Sequence, residues 1–243
     1  MEKSTFKELY KQILDLNGLS EYTTDEIIDK MYKMTEYMLE KNKVMNLTAI
    51  TEPEEVIAKH LADSVIAALY IEKGAKICDV GCGGGFPSLP LAIARPDITV
   101  VGIDSTDKRI NYVNDAASRL GLKNLTAITG RAEDLAQNED FREQFDICTA
   151  RAVASLPVLS ELCIPFVKNG GRFIAMKGKM SQEEFSKASE TLGCEKLDEG
   201  KITRYTLKAS GGEDERSIVI LKKISDTPAK YPRNYSQIKK KPL

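Results

Sequence analysis

The sequence predicts an α/β fold: a doubly wound, mostly parallel sheet with an antiparallel hairpin at its edge, preceded by a helical segment. Three observations carry this prediction. Hydrophobic residues recur at helical spacing through residues 1–70. From residue 76 onward, short apolar segments alternate with amphipathic ones, as strands and helices do around a parallel sheet. The first of these segments runs into a glycine-rich stretch, Gly81 to Gly85, of the kind found where such sheets bind ligands.

Composition narrows the class of protein. The 243 residues fit one or two domains, and 42% hydrophobic with 29% charged residues are the proportions of an ordinary globular protein. A formal net charge of −1 excludes a uniformly basic nucleic-acid binder, so any attraction to phosphates must come from a local patch. We expect a monomer with three parts: a helical cap (1–70), a ligand-binding domain (71–224) and a basic tail (225–243).

Cysteines and apolar runs indicate the compartment. The five cysteines are odd in number and never spaced C-x-x-C, which argues against a disulfide framework or a structural zinc site. We expect them to be small buried side chains. The N-terminus lacks the apolar core of a signal peptide, and no uncharged apolar run approaches the ~20 residues that span a bilayer. The sequence therefore predicts a cytoplasmic protein without a metal or a membrane anchor.

Three helices are predicted in the cap. The first ends at Asn17-Gly18, a common way to terminate a helix. The second and third each follow the pattern of a capping box, Thr23-x-x-Glu26 and Thr51-x-x-Glu54. Pro53 suits the first turn of the third helix, where the N–H that proline lacks would have no partner.

Strands and helices alternate after the cap. Apolar, β-branched segments predict parallel strands that are buried on both faces, and two later segments with a turn between them predict a hairpin. The predicted parallel strands cover 76–80, 98–103, 125–129, 145–149 and 171–176, and the helices cover 88–95, 107–120, 131–137 and 154–168. The hairpin strands cover 202–208 and 216–221, with the turn at Ser210-Gly-Gly-Glu213.

The end of the chain is basic. From residue 222 to residue 243, Asp226 is the single acid, and Tyr231 and Tyr235 are interleaved with the cations. The cations are Lys222, Lys223, Lys230, Arg233, Lys239, Lys240 and Lys241. Three prolines limit regular structure. The pattern predicts contact with nucleic-acid phosphates, although charged chain ends are often only solvated.

The glycine-rich stretch distinguishes between two kinds of cofactor. A dinucleotide-binding turn would place its third glycine at position 86, where this chain has Phe86. The chain instead has Asp79-x-Gly81-x-Gly83-x-Gly85, and Asp104 ends the next predicted strand, where a carboxylate can accept ribose hydroxyls. A carboxylate at position 79 would repel a pyrophosphate. A ligand with a ribose and a positively charged portion fits better, and S-adenosylmethionine has both.

A further turn is expected on the same side of the sheet. The third strand ends in Thr129-Gly-Arg-Ala-Glu-Asp134, so the main chain of Ala132 and the side chain of Glu133 are placed to meet an adenine edge. Glu133 and Asp134 fit the start of a helix equally well, because acids there interact favourably with the helix dipole.

Several motifs resemble the RsmG (GidB) family, bacterial methyltransferases of small-subunit ribosomal RNA, over nearly the whole chain. The most specific are Gly85-Phe-Pro87, in the block Asp79 to Ile93, and Ala150-Arg-Ala152. Ser88 stands where many members have Gly, and Asn234 to Ile238 replaces a link that usually contains glycine. The other matching segments are Asn46-Leu-Thr48, His60-x-x-Asp-Ser64, Asp104-Ser-x-x-Lys-Arg109, Gly130-Arg-Ala-Glu133, Met176-Lys-Gly178, Tyr231-Pro-Arg233 and Lys241-Pro-Leu243.

The resemblance implies a Rossmann-like class I methyltransferase. It implies transfer of a methyl group from S-adenosylmethionine to N7 of guanine 527 in 16S ribosomal RNA, either free or in the small ribosomal subunit. Asp104 is carried over from the wider class of such methyltransferases, and Asp79 and Gly83 join the cofactor site by their place in the loop. The residues that the family resemblance places at the cofactor are Gly81, Phe86, Ala132, Glu133 and Arg151.

The implied reaction needs positioning rather than acid–base catalysis. Guanine N7 carries a lone pair and no proton, so an in-line displacement requires no general base. A donor at N7 would block that lone pair, whereas a donor to O6 can hold the base. Lys177, after the fifth strand, is the first candidate on the substrate side, and Arg233 is the second. Arg151 can serve cofactor or substrate, and His60, the only histidine, either packs a helix or lies near the substrate.

Other functions stay open at this point. The glycine-rich stretch fits equally a methyltransferase of a small molecule or protein, or a non-catalytic nucleoside-binding module. Phe86 and the lack of a second catalytic half argue against a nicotinamide dehydrogenase. The basic tail and the family motifs favour RNA.

Overall fold

The computed structural model describes residues 1–151, 154–179, 188–196, 198–209 and 212–243. Two details of the sequence predictions, Ala152 in the Ala-Arg-Ala motif and residues 210 and 211 of the hairpin turn, lie outside this part of the chain. Within it, no helix is long and apolar enough to cross a bilayer.

The N-terminal part is helical, as predicted, with α1 (Lys3–Leu16) and α2 (Asp25–Met45). Both predicted capping boxes are wrong in detail. The N-cap of α2 is Thr24, whose hydroxyl accepts a hydrogen bond from the Ile27 amide at 3.4 Å. Two adjacent threonines offer the same chemistry, and the second one fits the turn. The next helix begins at Pro53 with Glu52 as its N-cap and no side-chain cap, because proline favours the first helical position.

The third helical stretch changes its pitch along its length. It consists of α3 (Pro53–Val56), a π-helical turn (Ile57–Ala62), α4 (Asp63–Val65) and a 3₁₀ turn (Ile66–Tyr70). π-Helical turns are rare and occur often at functional sites. This one carries His60.

A seven-stranded sheet forms the centre of the molecule, in the order β3-β2-β1-β4-β5-β7-β6. The first five strands in the chain run parallel, and β7 pairs antiparallel with both β5 and β6. The predicted doubly wound sheet with an antiparallel edge hairpin is therefore confirmed. The strands are β1 (Lys76–Val80), β2 (Thr99–Asp104), β3 (Leu125–Thr129), β4 (Phe145–Arg151), β5 (Val167–Lys177), β6 (Ile202–Ala209) and β7 (Gly212–Lys222).

Helices cover the sheet close to where the sequence predicts them. The four predicted helices are α5 (Ser88–Ala94), α6 (Asp107–Arg119), α7 (Ala132–Leu135) and α8 (Leu156–Cys163). Two short helices were not predicted, α9 (Ala188–Thr191) and α10 (Tyr235–Lys240). α8 ends earlier than predicted and passes into a 3₁₀ turn that contains Pro165, because proline interrupts an α-helix. In the tail, α10 forms between the prolines: Asn234 caps it by accepting from the Gln237 amide at 3.0 Å, and Ile238 is buried.

Two hydrophobic cores hold these layers together. One joins the N-terminal helices to the sheet and includes Phe6, Met34 and Leu61 with Ile77. The other packs α8 and the tail against the sheet and includes Ile238. All five cysteines are buried in these cores, as predicted. The strand order places the carboxyl ends of β1 and β4 side by side at the point where the connections diverge, which is where doubly wound sheets bind ligands.

Candidate functional site

The glycine loop after β1 is pinned at its start and open above its centre. The amides of Gly81 and Cys82 donate to the Ile103 carbonyl oxygen of β2 at 2.7 and 3.0 Å. Gly85 has φ +88°, which strains any other residue, and a β-carbon there would lie 2.4 Å from Cδ1 of Leu89, so a substitution would also displace that side chain. At Gly83 (φ +52°) the nearest atom to a β-carbon would be the Gly81 oxygen, 3.7 Å away. The main chain at Gly83 is therefore not covered by other atoms at the position of a β-carbon, so a ligand can approach it there.

Asp104 joins the second strand to this loop. Its Oδ2 accepts from the Gly83 amide at 3.1 Å and its Oδ1 accepts from the Thr106 amide at 2.9 Å. Nη1 of Arg109 lies 3.7 Å from Oδ2 of Asp104. The predicted ribose-binding carboxylate is thus fixed beside the glycines by two amide donors. It is 8% exposed, so part of it can still meet a ligand.

Asp79 lies wholly inside the protein. Its Oδ2 accepts from the hydroxyl and the amide of Ser88 at 2.5 and 3.2 Å, and its Oδ1 accepts from the Thr149 hydroxyl at 3.2 Å. Burial raises its pKa to about 6, although these donors work in the opposite direction. Asp79 therefore ties β1, β4 and the start of α5 together beneath the loop, and its contact with a cofactor stays a prediction.

His60, Phe86 and Arg151 come together at the carboxyl edge of the sheet. The rings of His60 and Phe86 stack with centroids 4.5 Å apart, and the Arg151 guanidinium carbon lies 5.3 Å from the Phe86 ring centroid. Arg151 Nη2 is 3.2 Å from His60 Nδ1. Three predicted site residues from distant parts of the chain thus form one cluster.

The arginine determines the protonation of His60. Guanidinium nitrogens only donate, so Nδ1 must accept and the ring proton sits on Nε2. Nε2 then donates to the Thr48 hydroxyl at 2.7 Å. Burial, and next the charge of Arg151, lower the pKa of His60 to about 3, so the ring is neutral at physiological pH. Both ring nitrogens are thus engaged, so the neutral ring positions its neighbours and has no nitrogen free for proton transfer.

The Asp63 carboxylate interacts with both arginines near this cluster. Its Oδ2 accepts from Arg151 Nη1 at 3.0 Å, while its Oδ1 accepts from the Tyr205 hydroxyl at 3.2 Å and lies 3.3 Å from Arg216 Nε. Arg151 also donates to the Lys59 carbonyl oxygen at 2.7 Å. Asp63 therefore links the third helical stretch, β4 and the edge hairpin.

The remaining predicted residues divide into two groups. Ala132 and Glu133 begin α7, next to the glycine loop along the sheet edge, since the amide of Gly130 donates to the Asp104 carbonyl oxygen at 3.0 Å. Lys177 ends β5 at the same edge, and its Nζ donates to the Ala154 carbonyl oxygen at 2.9 Å. Arg233 is different, because it lies on the tail against α8.

Arg233 anchors the tail. Its Nε and backbone amide donate to Oε1 of Glu161 at 2.8 and 2.9 Å, and its Nη2 donates to Oε2 at 2.6 Å. Glu161 is completely buried. The predicted contact of Arg233 with RNA stays a prediction, and the structure gives the side chain a clear structural task.

Sequence reasoning missed several members of the site. Asp63, Thr48, Ser88 and Thr149 each hold a predicted residue in place, and Tyr205 comes from the edge hairpin. The sequence contained indications of three of them, because Thr48, Asp63 and Ser88 stand in the segments that resemble the family, and Asp63 also shares a helix face with His60, three residues away. The contribution of Tyr205 depends on a pairing across 142 residues, which no local pattern reveals.

The structure also contains a cleft of about 580 Å³ away from the glycine loop. It lies between α3 and the hairpin, and its lining includes Glu52, Glu55, Glu213 and Asp214. Such an acidic lining repels phosphates, so it is an unsuitable surface for RNA. Among the described residues no group of His, Cys, Asp or Glu side chains could hold a metal ion.

Comparison with known proteins agrees with this geometry. The family model GidB, rRNA small subunit methyltransferase G, matches residues 27–216. A ribosomal RNA small subunit methyltransferase G from Acetivibrio thermocellus is 42% identical over 98% of this chain and 98% of its own length. One from Lactobacillus delbrueckii subsp. bulgaricus is 45% identical over 83% and 85%, respectively.

Solved structures share the fold. M. jannaschii TYW2, solved in complex with AdoMet, is similar with a TM-score of 0.53 and 16% identity, over 67% of this chain and 75% of that one. The family match and the two relatives extend over most of the chain, including the glycine loop, Arg151 and the third helical stretch. The chain therefore belongs to the rRNA small subunit methyltransferase G (GidB) family and is an S-adenosylmethionine-dependent methyltransferase.

Proposed function

We propose that this enzyme methylates N7 of guanine 527 in 16S ribosomal RNA, in the cytoplasm, without a general base. The observation that carries the proposal is the joining of the glycine loop to Asp104 and of Phe86 to Arg151 at one sheet edge. The family to which the chain belongs supports ribosomal RNA as the substrate.

The residues present fit S-adenosylmethionine. Asp104 offers a carboxylate to ribose hydroxyls, the space above Gly83 admits the ligand, and Arg151 offers a guanidinium to a carboxylate. Ala132 and Glu133 would meet the adenine edge. When bound, the cofactor supplies a methyl group that is activated by its positive sulfur.

The protein's own contribution is alignment. The Phe86 ring stacks on the His60 ring and also contacts the Arg151 guanidinium, which itself bonds to His60, and these contacts fix the Phe86 ring beside the glycine loop. Lys177, held at the carboxyl end of β5, would offer its ammonium group to guanine O6 and leave N7 free. Nδ1 of His60 accepts from Arg151 and its Nε2 donates to Thr48, so the ring has no nitrogen free to take up a proton. N7 of guanine has no proton to remove, and the arrangement suits that acceptor.

The experiment supplies labelled S-adenosylmethionine to the enzyme with free 16S rRNA and with intact small subunits, and then maps the labelled base. We expect label at N7 of guanine 527. A matched pair of variants, Lys177→Ala and Lys43→Ala on the N-terminal helix α2, distinguishes substrate positioning from a general loss of positive charge. Label at another position or none in either RNA would overturn the proposal, and equal rates for the two variants would remove Lys177 from it.

A further inference from the structure

The cations of the C-terminal tail separate into two groups with different surroundings. Lys223 is completely buried and pairs with Glu143 at 2.6 Å, and Arg233 is bound to Glu161. Lys230, Lys239 and Lys240 are exposed instead. The buried group, Lys223 and Arg233, holds the tail against the rest of the protein. The exposed lysines have no role described above.

An exposed aromatic ring accompanies the exposed lysines. Tyr235 is 37% exposed, and it is the one exposed Tyr or Phe in the part of the chain that the structure describes. The guanidinium carbon of Arg131 lies 5.9 Å from its ring centroid, and Arg131 is itself exposed. Four residues along α10, Lys239 shares the side of the helix that carries Tyr235.

This surface adjoins the candidate cofactor site. Arg131 directly follows Gly130, whose amide donates to the Asp104 carbonyl oxygen, and it precedes Ala132 and Glu133. Tyr235 therefore lies at the margin of the same sheet edge. A nucleic-acid strand whose base reaches that edge passes close to the ring.

The tail is held rigidly in this position. Gln137 Nε2 donates to the Pro232 carbonyl oxygen at 3.0 Å, and Arg142 Nη1 donates to the Tyr231 carbonyl oxygen at 2.8 Å. Ile238, on the inner side of α10, is completely buried. A ligand that binds to a fixed surface loses less free energy in ordering it.

We propose that Arg131, Tyr235 and Lys239 form a binding surface for single-stranded RNA, on which a base stacks against the Tyr235 ring while the two cations contact phosphates. Aromatic rings flanked by positive charge are the usual means by which proteins hold unpaired nucleotides. The inference rests on the proposed RNA substrate and adds to it the place where the strand next to the target base is held.

The chain offers a direct spectroscopic test because it contains no tryptophan. Tyr235→Trp introduces a single indole at the proposed stacking position, and Tyr32→Trp places a control indole on α2. Titration with a single-stranded fragment of 16S rRNA is expected to quench the emission at position 235 and leave position 32 unchanged. Equal behaviour of the two indoles would overturn the stacking proposal.

Affinity measurements separate stacking from charge. Tyr235→Ala is expected to weaken binding of the fragment roughly 5- to 150-fold, the range for loss of one base–aromatic stack. Tyr235→Phe, which keeps the ring, should bind within about twofold of wild type. Lys239→Ala should reduce the salt slope of binding by about 0.7, the value for one phosphate contact on a single strand, whereas Lys43→Ala should leave it unchanged. S-adenosylmethionine affinity should be the same in all of these variants.

The outcome distinguishes this inference from the proposed function. If the wild-type enzyme methylates the RNA and Tyr235→Ala binds and methylates it equally well, the surface is wrong and the function stands. If the wild type neither binds nor methylates the RNA, the proposed function and the proposed RNA-binding surface are both wrong. Equal competition by polyglutamate would show a general attraction to anions and would contradict the stacking of a base.

Discussion

Two arginines in this molecule are each paired with a buried acid, and the surroundings of the acids differ. Arg233 is the one described cation bonded to Glu161, which is completely buried. Arg151 shares Asp63 with Arg216 and with the Tyr205 hydroxyl. An acid with one cation fixes that cation in place, whereas an acid with two can release one. From this difference we expect Arg233 to serve the fold and Arg151 to be able to turn from Asp63 toward a cofactor.

The largest expected effect is at the tail. Arg233→Ala leaves Glu161 charged, buried and without its cation, which costs about 3–5 kcal/mol in such cases. We expect the free energy of unfolding in urea to fall by that amount at pH 7. The control is Arg119→Ala, whose partner Asp115 lies on the surface, and there we expect little change. Equal losses in the two variants would show that the buried pair has no special weight.

A third buried acid, Asp79, extends the comparison to pH. Its folded-state pKa of about 6 lies above its ordinary value of 3.8, so its contribution to stability is present below about pH 4 and is lost as the pH rises through about 6. That shift corresponds to roughly 3 kcal/mol. In the wild type, the free energy of unfolding should therefore fall as the pH rises from about 4 to about 6. In Asp79→Asn this fall should be absent.

A control variant should behave in the opposite sense. Arg95 holds the pKa of Asp97 below its usual range, so Asp97 contributes stability that is lost as the pH falls. In Asp97→Asn, the part of the wild-type unfolding free energy that is lost as the pH falls should be absent. Urea titrations at several pH values measure both effects. If the unfolding free energy of Asp79→Asn depends on pH as that of the wild type does, burial does not raise the pKa of Asp79.

The fold should tolerate the loss of one of the two arginines that share Asp63. Arg151→Ala leaves Asp63 with Arg216 and Tyr205, so we expect a loss of about 1.5–3 kcal/mol of stability, the range for a hydrogen bond to a charged group. Arg216→Ala should cost a similar amount. The double variant leaves no described arginine at Asp63 and should cost more than the sum of the two, because the buried carboxylate is then uncompensated. Strict additivity would contradict a shared acid.

At pH 7, the smallest effect is expected at His60. His60→Asn keeps an acceptor for Arg151 and loses the stacked ring, which is worth about 0.5–1.5 kcal/mol at pH 7. Because the folded-state pKa of about 3 lies below the ordinary 6.5, wild type also loses stability as the pH falls from 6.5 toward 3. The variant should be less sensitive to acid over that range. An unchanged acid profile would mean that the ring protonates freely in the fold.

Much of this architecture could be predicted from the sequence because it is local. Alternating apolar segments determined the parallel strands, and the spacing of Asp79, Gly85 and Asp104 indicated their common edge. The capping residues were wrong by one position, because adjacent threonines, or an acid before a proline, serve equally well in a sequence pattern. The pairings of Arg151 with Asp63 and of Arg233 with Glu161 join residues 88 and 72 positions apart, so only the folded chain reveals which arginine is held and which is shared.

Calorimetric titration of S-adenosylmethionine into wild type, Arg151→Ala and Arg233→Ala, at a temperature where all three are folded, tests the central claim most directly. Arg151→Ala should bind roughly 10- to 100-fold more weakly, since a charge-assisted hydrogen bond is lost. Arg233→Ala should bind as wild type does, despite its lower stability. Unchanged affinity in Arg151→Ala, or an equal loss in both variants, would contradict the assignment of the cofactor site to the sheet edge.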